Sequence, residues 1–136
     1  MGCNNNNNRR NSNENNQCRE NSYRVINHNH EFLSSTDYEK DAEGVEHNHR
    51  IAGVTGPPIV RGKSHVHNIA VFTDTFDDHF HKICDTTGPA LYLPDGKHVH
   101  LLKGTTDVAD ENNHDHDYFF TTLIQAPSNV PEDRKC

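Results

Sequence analysis

The sequence predicts an all-β domain, an antiparallel β-sandwich or barrel of six strand units behind a low-complexity N-terminal arm. Three observations carry that prediction. All twelve histidines fall in six His-x-His pairs: His28/His30, His47/His49, His65/His67, His79/His81, His98/His100 and His114/His116. Each pair opens the same nine-residue pattern, His-x-His-x-Φ-x-x-x-Thr. Φ is Phe32, Ile51, Ile69, Ile83, Leu102 or Tyr118, and the closing residue is Thr36, Thr55, Thr73, Thr87, Thr106 or Thr122. Finally, residues alternate with a period of two between Gly, Pro, Asn and Asp punctuation, and no 3.6-residue period runs through the chain.

The elements follow in order. Residues 1–24 hold ten Asn, four Arg, Cys3 and Cys18. Such a segment cannot build a core and is expected to be a flexible arm. Its Met-Gly start is a poor myristoylation match, since residue 6 is Asn. The repeat domain is placed at 25–126 and a C-terminal tail at 127–136, ending on Cys136. Within the domain two kinds of connection alternate. Units one, three and five end in Thr-Asp (Asp37, Asp74, Asp107) and an acidic loop. Units two and four end in Gly-Pro (Gly56-Pro57, Gly88-Pro89), followed by a short apolar stretch and Gly-Lys (Gly62-Lys63, Gly96-Lys97). The true repeat is thus a pair of units, present three times, and a period of that size signals a modular β architecture. Units three and four are joined by only Asp74–Asp78, too short for a parallel crossover, so they are expected to form a hairpin. Their His pairs then lie at opposite strand ends, which predicts two belts of imidazoles, one from odd and one from even units. Pro58-Ile59-Val60 and Ala90-Leu91-Tyr92-Leu93 are candidates for short extra strands.

Residues two apart on a strand share a face, so each unit sets two imidazoles, Φ and Thr in one row. At this histidine frequency, chance would give roughly one His-x-His pair. Six pairs in register with apolar and Thr positions point to transition-metal binding, and the alternative is a purely structural histidine ladder. Two pairs supply four nitrogens, enough for a closed site. Twelve histidines could make three such sites, or fewer sites completed by neighbouring subunits. All-imidazole ligation suits zinc, copper, nickel or iron. Acceptors for the second ring nitrogen are expected among Asp37, Asp74, Asp107, Glu46 and Asp78, which could equally be solvated loop acids. The Thr row could also bond imidazole, although threonine is first of all a good β-former.

Composition narrows the function classes. Only 31% of residues are apolar and mean hydropathy is −0.97, so a core alone offsets little conformational entropy. Metals, disulfides or oligomerisation are the usual compensations. Net charge is −7, and the body after Arg24 carries −9 (9 basic against 18 acidic residues), beside a basic arm. No nucleic-acid partner is expected from such a balance. No apolar run approaches membrane-spanning length and no signal-peptide core opens the chain, so no membrane partner and cytoplasmic synthesis are expected. Cys3, Cys18 and Cys136 are candidates for intermolecular disulfides, with reduced thiols as the alternative. Cys84 falls on the face opposite its His pair and is not counted as a ligand. A catalytic metal site keeps an open position and a distinct acid or base, whereas six near-equivalent units look like repeated structure, so no enzyme is expected.

Over residues 28–124 the His-x-His units and the Gly-Pro…Gly-Lys-x-His-Val-His segments (Gly56 to His67, Gly88 to His100) resemble the YmaF family of spore-forming Firmicutes. What the resemblance implies is limited, since the family carries no firmly established activity. The Asn- and Cys-bearing arm is similar to the flexible arms of spore-coat and spore-appendage subunits. Together these features suggest a metal-binding structural subunit that self-assembles into a spore-associated or extracellular fibre or coat. It would be stapled by His-metal sites and disulfides. A soluble metal-storage or buffering protein is the alternative, and a small metalloenzyme the third reading.

Overall fold

The structure is a computed structural model that describes residues 3, 23–108, 114–129 and 134–135. Among these there is no helix. In chain order the strands are β1 (Tyr23–Arg24), β2 (Asn29–Ser35), β3 (Glu39–Lys40), β4 (Glu46–His47), β5 (Arg50–Val54), β6 (Ile59–Arg61), β7 (Ser64–Val66), β8 (Asn68–Phe72), β9 (Lys82–Thr86), β10 (Ala90–Tyr92), β11 (His98–Thr105), β12 (Asp117–Thr121), β13 (Gln125–Ala126) and β14 (Arg134–Lys135). The all-β expectation holds, in small antiparallel sheets of two or three strands.

The six units pair as three hairpins: β2 with β5, β8 with β9, and β11 with β12. The expected hairpin of units three and four is therefore present, its tight turn held by Phe76 and His79 and by Asp77 and Asp78 at positive φ. Both expected extra strands form as well. β6 pairs with β7, turning at Gly62 (φ 59°), and β10 pairs with β11, turning near Gly96 (φ 85°). β13 pairs with β2 and takes the corresponding place after unit six.

Backbone hydrogen bonds link the hairpins cyclically at both ends. At one end Asp37 N–H donates to Asp117 O, Asp74 to Arg50 and Asp107 to Lys82, at 2.9–3.2 Å. At the other end Gly56 donates to Asn68, Gly88 to Leu101 and Leu123 to Glu31, at 2.8–2.9 Å. In every case the donor follows the closing Thr of a unit and the acceptor follows the second His of another. Each hairpin thus bonds both others, and the nine-residue pattern sets the register of the whole ring.

Between the ends lies a small core of Phe32, Ile51, Ile69, Ile83, Leu102, Tyr118 and Phe120, with Val71 against it. All six Φ residues are buried, as are all six closing threonines, while Arg50 and Asp117 are exposed. The inward face is as the period of two requires. Cross-strand neighbours compensate in size: Phe32 opposes Gly53, and Tyr118 opposes Gly104. Tyr118 is the one polar Φ, and its hydroxyl donates to Asp85 Oδ2 at 2.7 Å. A Cβ on Gly104 would stand 2.6 Å from that hydroxyl and 2.7 Å from Asp85 Oδ2.

Cys3 is bonded to Cys84, with Cα atoms 6.0 Å apart. This corrects the expectation that Cys3 serves another subunit. Cys84 points outward from its strand, and an outward thiol is what a returning arm can reach. Cys18 and Cys136, and nearly all of the arm, lie outside the described residues.

Gly104→Ala is expected to destabilise the fold by about 1–3 kcal/mol through overpacking. Adding Tyr118→Phe should recover part of that loss, since the clash is with the hydroxyl. Thermal melts of the two variants and the double variant check it, and additive effects would contradict it.

Candidate metal centres

Each strand delivers its His pair to one end of the ring, and antiparallel pairing sends odd and even units to opposite ends. Two clusters result: His28, His30, His65, His67, His98 and His100 from odd units, and His47, His49, His79, His81, His114 and His116 from even units. These are the two expected belts. Grouping into four-His sites does not occur, because three hairpins bring three pairs together at each end. All twelve side chains are buried except His114, which is half-buried.

The closing threonines explain how the imidazoles are held. Each Thr Oγ1 accepts the backbone N–H of the second His across its hairpin: Thr55 from His30, Thr36 from His49, Thr87 from His67, Thr73 from His81, Thr122 from His100 and Thr106 from His116, at 2.9–3.1 Å. The same hydroxyl donates to the carbonyl of the residue that follows it, at 2.9–3.1 Å. That carbonyl then accepts Nδ1–H from the second His of a different hairpin. The pairs are His30–Leu123, His49–Asp74, His67–Gly56, His81–Asp107, His100–Gly88 and His116–Asp37, at 2.8–3.1 Å. A chain of backbone N–H, threonine and carbonyl fixes all six rings. The threonines therefore act mainly on the backbone, with Thr55 also 3.4 Å from an imidazole nitrogen, that of His67. Sequence reading had no means to see this, because the third partner sits on a neighbouring hairpin.

A carbonyl oxygen can only accept, so Nδ1 of each second histidine carries the proton and Nε2 presents a lone pair. His28 and His47 are held likewise by the carbonyls of Ile26 and Val45. Their Nε2 atoms converge. His98 Nε2 stands 3.0–3.1 Å from those of His28, His30 and His65, and His79 Nε2 stands 3.1–3.2 Å from those of His47 and His49. Nε2 of His67, His100, His81 and His116 is buried without a hydrogen-bond partner.

Ring geometry defines the arrangement. Six rings make fifteen pairs, and in the odd-unit cluster twelve stand edge to face, with centroids 4.5–5.2 Å apart and planes at 68–87°. The pairs left over are His28/His100, His30/His65 and His67/His98. In the even-unit cluster twelve again do so, at 4.7–5.3 Å and 73–87°. The pairs left over there are His47/His81, His49/His114 and His79/His116. Twelve edges and three opposed pairs describe an octahedron. Nitrogens 3.0–3.2 Å apart along an octahedral edge place a central ion about 2.1–2.3 Å from each, an ordinary metal–imidazole distance. A tetrahedral site at about 2.0–2.1 Å would need edges near 3.3–3.4 Å. The residues fit a six-coordinate cation.

Of the expected carboxylate acceptors, Asp37, Asp74 and Asp107 do serve imidazoles, through their backbone carbonyls. Their side chains accept the backbone N–H of Asp117, Arg50 and Lys82, at 2.6–2.9 Å. Glu46 and Asp78 are exposed.

Burial is the main cause that lowers histidine proton affinity here, reinforced by neighbouring imidazoles. It brings His98 and His100 to about 3. His49 falls to about 4 from the usual 6.5, its lowering partly offset by the Asp74 carbonyl. In the window between these values and 6.5 the unfolded chain binds more protons than the folded one, so stability rises with pH. It is complete above about 6.5 and lost as pH falls toward 4 and 3. The purified chain should therefore lose its β-sheet circular dichroism on acidification, beginning below about pH 6.5. A signal unchanged down to pH 3 would contradict the burial of neutral imidazole.

No curated protein and no solved structure matches the chain. The profile of the YmaF family, described as spore germination protein GerY/YamF, matches residues 25–124, which span all six His-x-His units. That match covers 100 of the 136 residues, and the chain belongs to the YmaF family.

Proposed function

We propose that this protein is a spore-associated structural protein that binds two transition-metal ions, one in each six-histidine centre. The observation that carries the reading is the convergence of six imidazoles at each end, four of which (His28, His30, His67 and His100; His47, His49, His81 and His116) have Nδ1–H committed to a carbonyl oxygen and so turn an Nε2 lone pair inward. Lone pairs crowded at a buried focus repel one another, and a cation at that focus turns the repulsion into attraction. Among zinc, copper, nickel and iron, a regular octahedron suits iron(II) or six-coordinate nickel(II). It is a poorer setting for structural zinc, which prefers four ligands, and for tetragonal copper(II).

A structural rather than catalytic role follows from saturation. Six protein nitrogens leave a central ion no position for water or substrate, which a catalytic metal requires. Burial of the ligands also slows exchange, which favours a staple over a buffer. The finer reading is a subunit of a spore-associated coat or fibre that assembles from copies of itself. The family's description supports the spore association. Outward apolar side chains such as Leu33 and Phe119 support the assembly, together with Cys18 and Cys136 outside the described residues.

Metal analysis of natively purified protein should return two ions per chain, with loss of thermal stability on strong chelation. His67→Ala with His100→Ala should reduce the content to one ion. A chain that holds no metal and melts unchanged in chelator would overturn the reading. On the finer point, sedimentation of the metal-loaded chain should show polymers that deletion of residues 1–20 shortens. A strictly monomeric species with exchangeable metal would instead mark a storage protein.

A further inference from the structure

The two centres have nearly the same geometry and different surroundings. The difference is the Thr-Asp and Thr-Gly alternation, which the proposed role does not by itself explain. Around the even-unit centre, the residues that hold the second histidines through their carbonyls are Asp37, Asp74 and Asp107. Around the odd-unit centre, the same three places are taken by Gly56, Gly88 and Leu123, none of which carries a charge. The aspartates are fixed there, because each carboxylate is tied to the backbone N–H that follows a ligand histidine. Asp74 Oδ1 lies 3.4 Å from His49 Nδ1, and Asp37 Oδ1 lies 3.9 Å from His116 Nδ1.

More distant charges are mixed: Arg50 and Lys82 follow His49 and His81 at the aspartate end, and Glu31 follows His30 at the other. Asp115 sits between His114 and His116 in the chain. At the aspartate end the Glu39 carboxyl is held above its usual proton affinity, first by Asp37 and also by Asp117 and Asp115, which reports a concentration of negative charge. At the glycine end, Lys63 and Lys97 stand just before the pairs opened by His65 and His98, with Asp95 3.9 Å from Lys97.

Six neutral imidazoles leave the full charge of a bound ion uncompensated, so nearby carboxylates decide how costly its burial is. A carboxylate beside the outer nitrogen of a ligand imidazole also raises the basicity of the inner one. We infer that the two centres are unequal, and that the aspartate-ringed centre of His47, His49, His79, His81, His114 and His116 binds a divalent first-row ion more tightly and fills first. This rests on the proposed metal binding and goes beyond it by ranking the sites. Asp74 and Asp37 are about half exposed, at 50% and 43%, so solvent screening reduces the effect of each.

The test is a titration of the metal-free, full-length chain with cobalt(II), whose weak visible bands mark six-coordination and intense ones four-coordination. Two binding steps separated by about 10- to 100-fold are expected, both with six-coordinate spectra. In the triple variant Asp37→Asn, Asp74→Asn, Asp107→Asn, each side chain keeps an oxygen for its backbone N–H and loses its charge. The tighter step should weaken by about 10-fold or more and the weaker step should stay where it is. Asp74→Asn alone, should the triple variant not fold, is expected to weaken the tighter step by a few-fold. Two steps of equal affinity, or a tighter step unmoved by these substitutions, would overturn the ranking and leave metal binding intact. Failure of the wild-type chain to bind cobalt(II) at all would overturn the metal reading itself.

Discussion

Six imidazoles converge at each end of the ring, and the four at each end whose Nδ1 is bonded to a carbonyl aim mutually repelling Nε2 lone pairs inward. The restraint comes from the backbone rather than from bulk packing. Each second imidazole is fixed through Nδ1 by a carbonyl, that carbonyl by a threonine hydroxyl, and that hydroxyl by the amide of another ligand histidine. The imidazoles, threonines and amides are buried and the bonds to the carbonyls part-buried, and an unmet hydrogen bond in a buried place costs about 1–3 kcal/mol. Ligand placement and ring closure are thus one set of bonds. Disturbing an imidazole disturbs the joint between two hairpins, and opening a joint misplaces an imidazole.

The apolar core between the centres is correspondingly modest. It is built from the six Φ side chains, Phe120 and Val71. Its departures from the repeat come in compensating pairs, a large ring facing a glycine in the hairpins of Phe32 and Tyr118. The part-buried Tyr118–Asp85 hydrogen bond is a polar exception that depends on Gly104 remaining small. Burial, together with Asp85, raises the Tyr118 hydroxyl above its usual proton affinity, so it stays a donor.

Much of this was legible in the residues and some was not. A period of two tells which side chains share a face, so the inward row of His30, Phe32 and Thr36 could be read directly. The five-residue link from Asp74 to Asp78 forced a hairpin, and with it the separation of odd and even histidines. What a strand pattern does not encode is how many strands meet around an axis. That number turns a four-nitrogen expectation into six. The double duty of Thr73, which binds His81 and the carbonyl that holds His49, spans three strands of two hairpins and leaves no mark beyond an unvarying threonine. The Cys3–Cys84 bond closes a separation of 81 residues, for which spacing offers no rule.

The interleaving of odd and even units has a consequence for synthesis. The ligands of one centre run from His28 to His100 and those of the other from His47 to His116, each drawn from all three hairpins. No contiguous third of the chain holds a complete set. A nascent or truncated polypeptide therefore presents only scattered two-imidazole fragments, and the glycine-end set is whole only after residue 100 has been made, the aspartate-end set only after residue 116. Assembling both histidine sets is in effect a test of chain length: a chain made through residue 116 can gather six nitrogens around each focus, and a shorter one cannot.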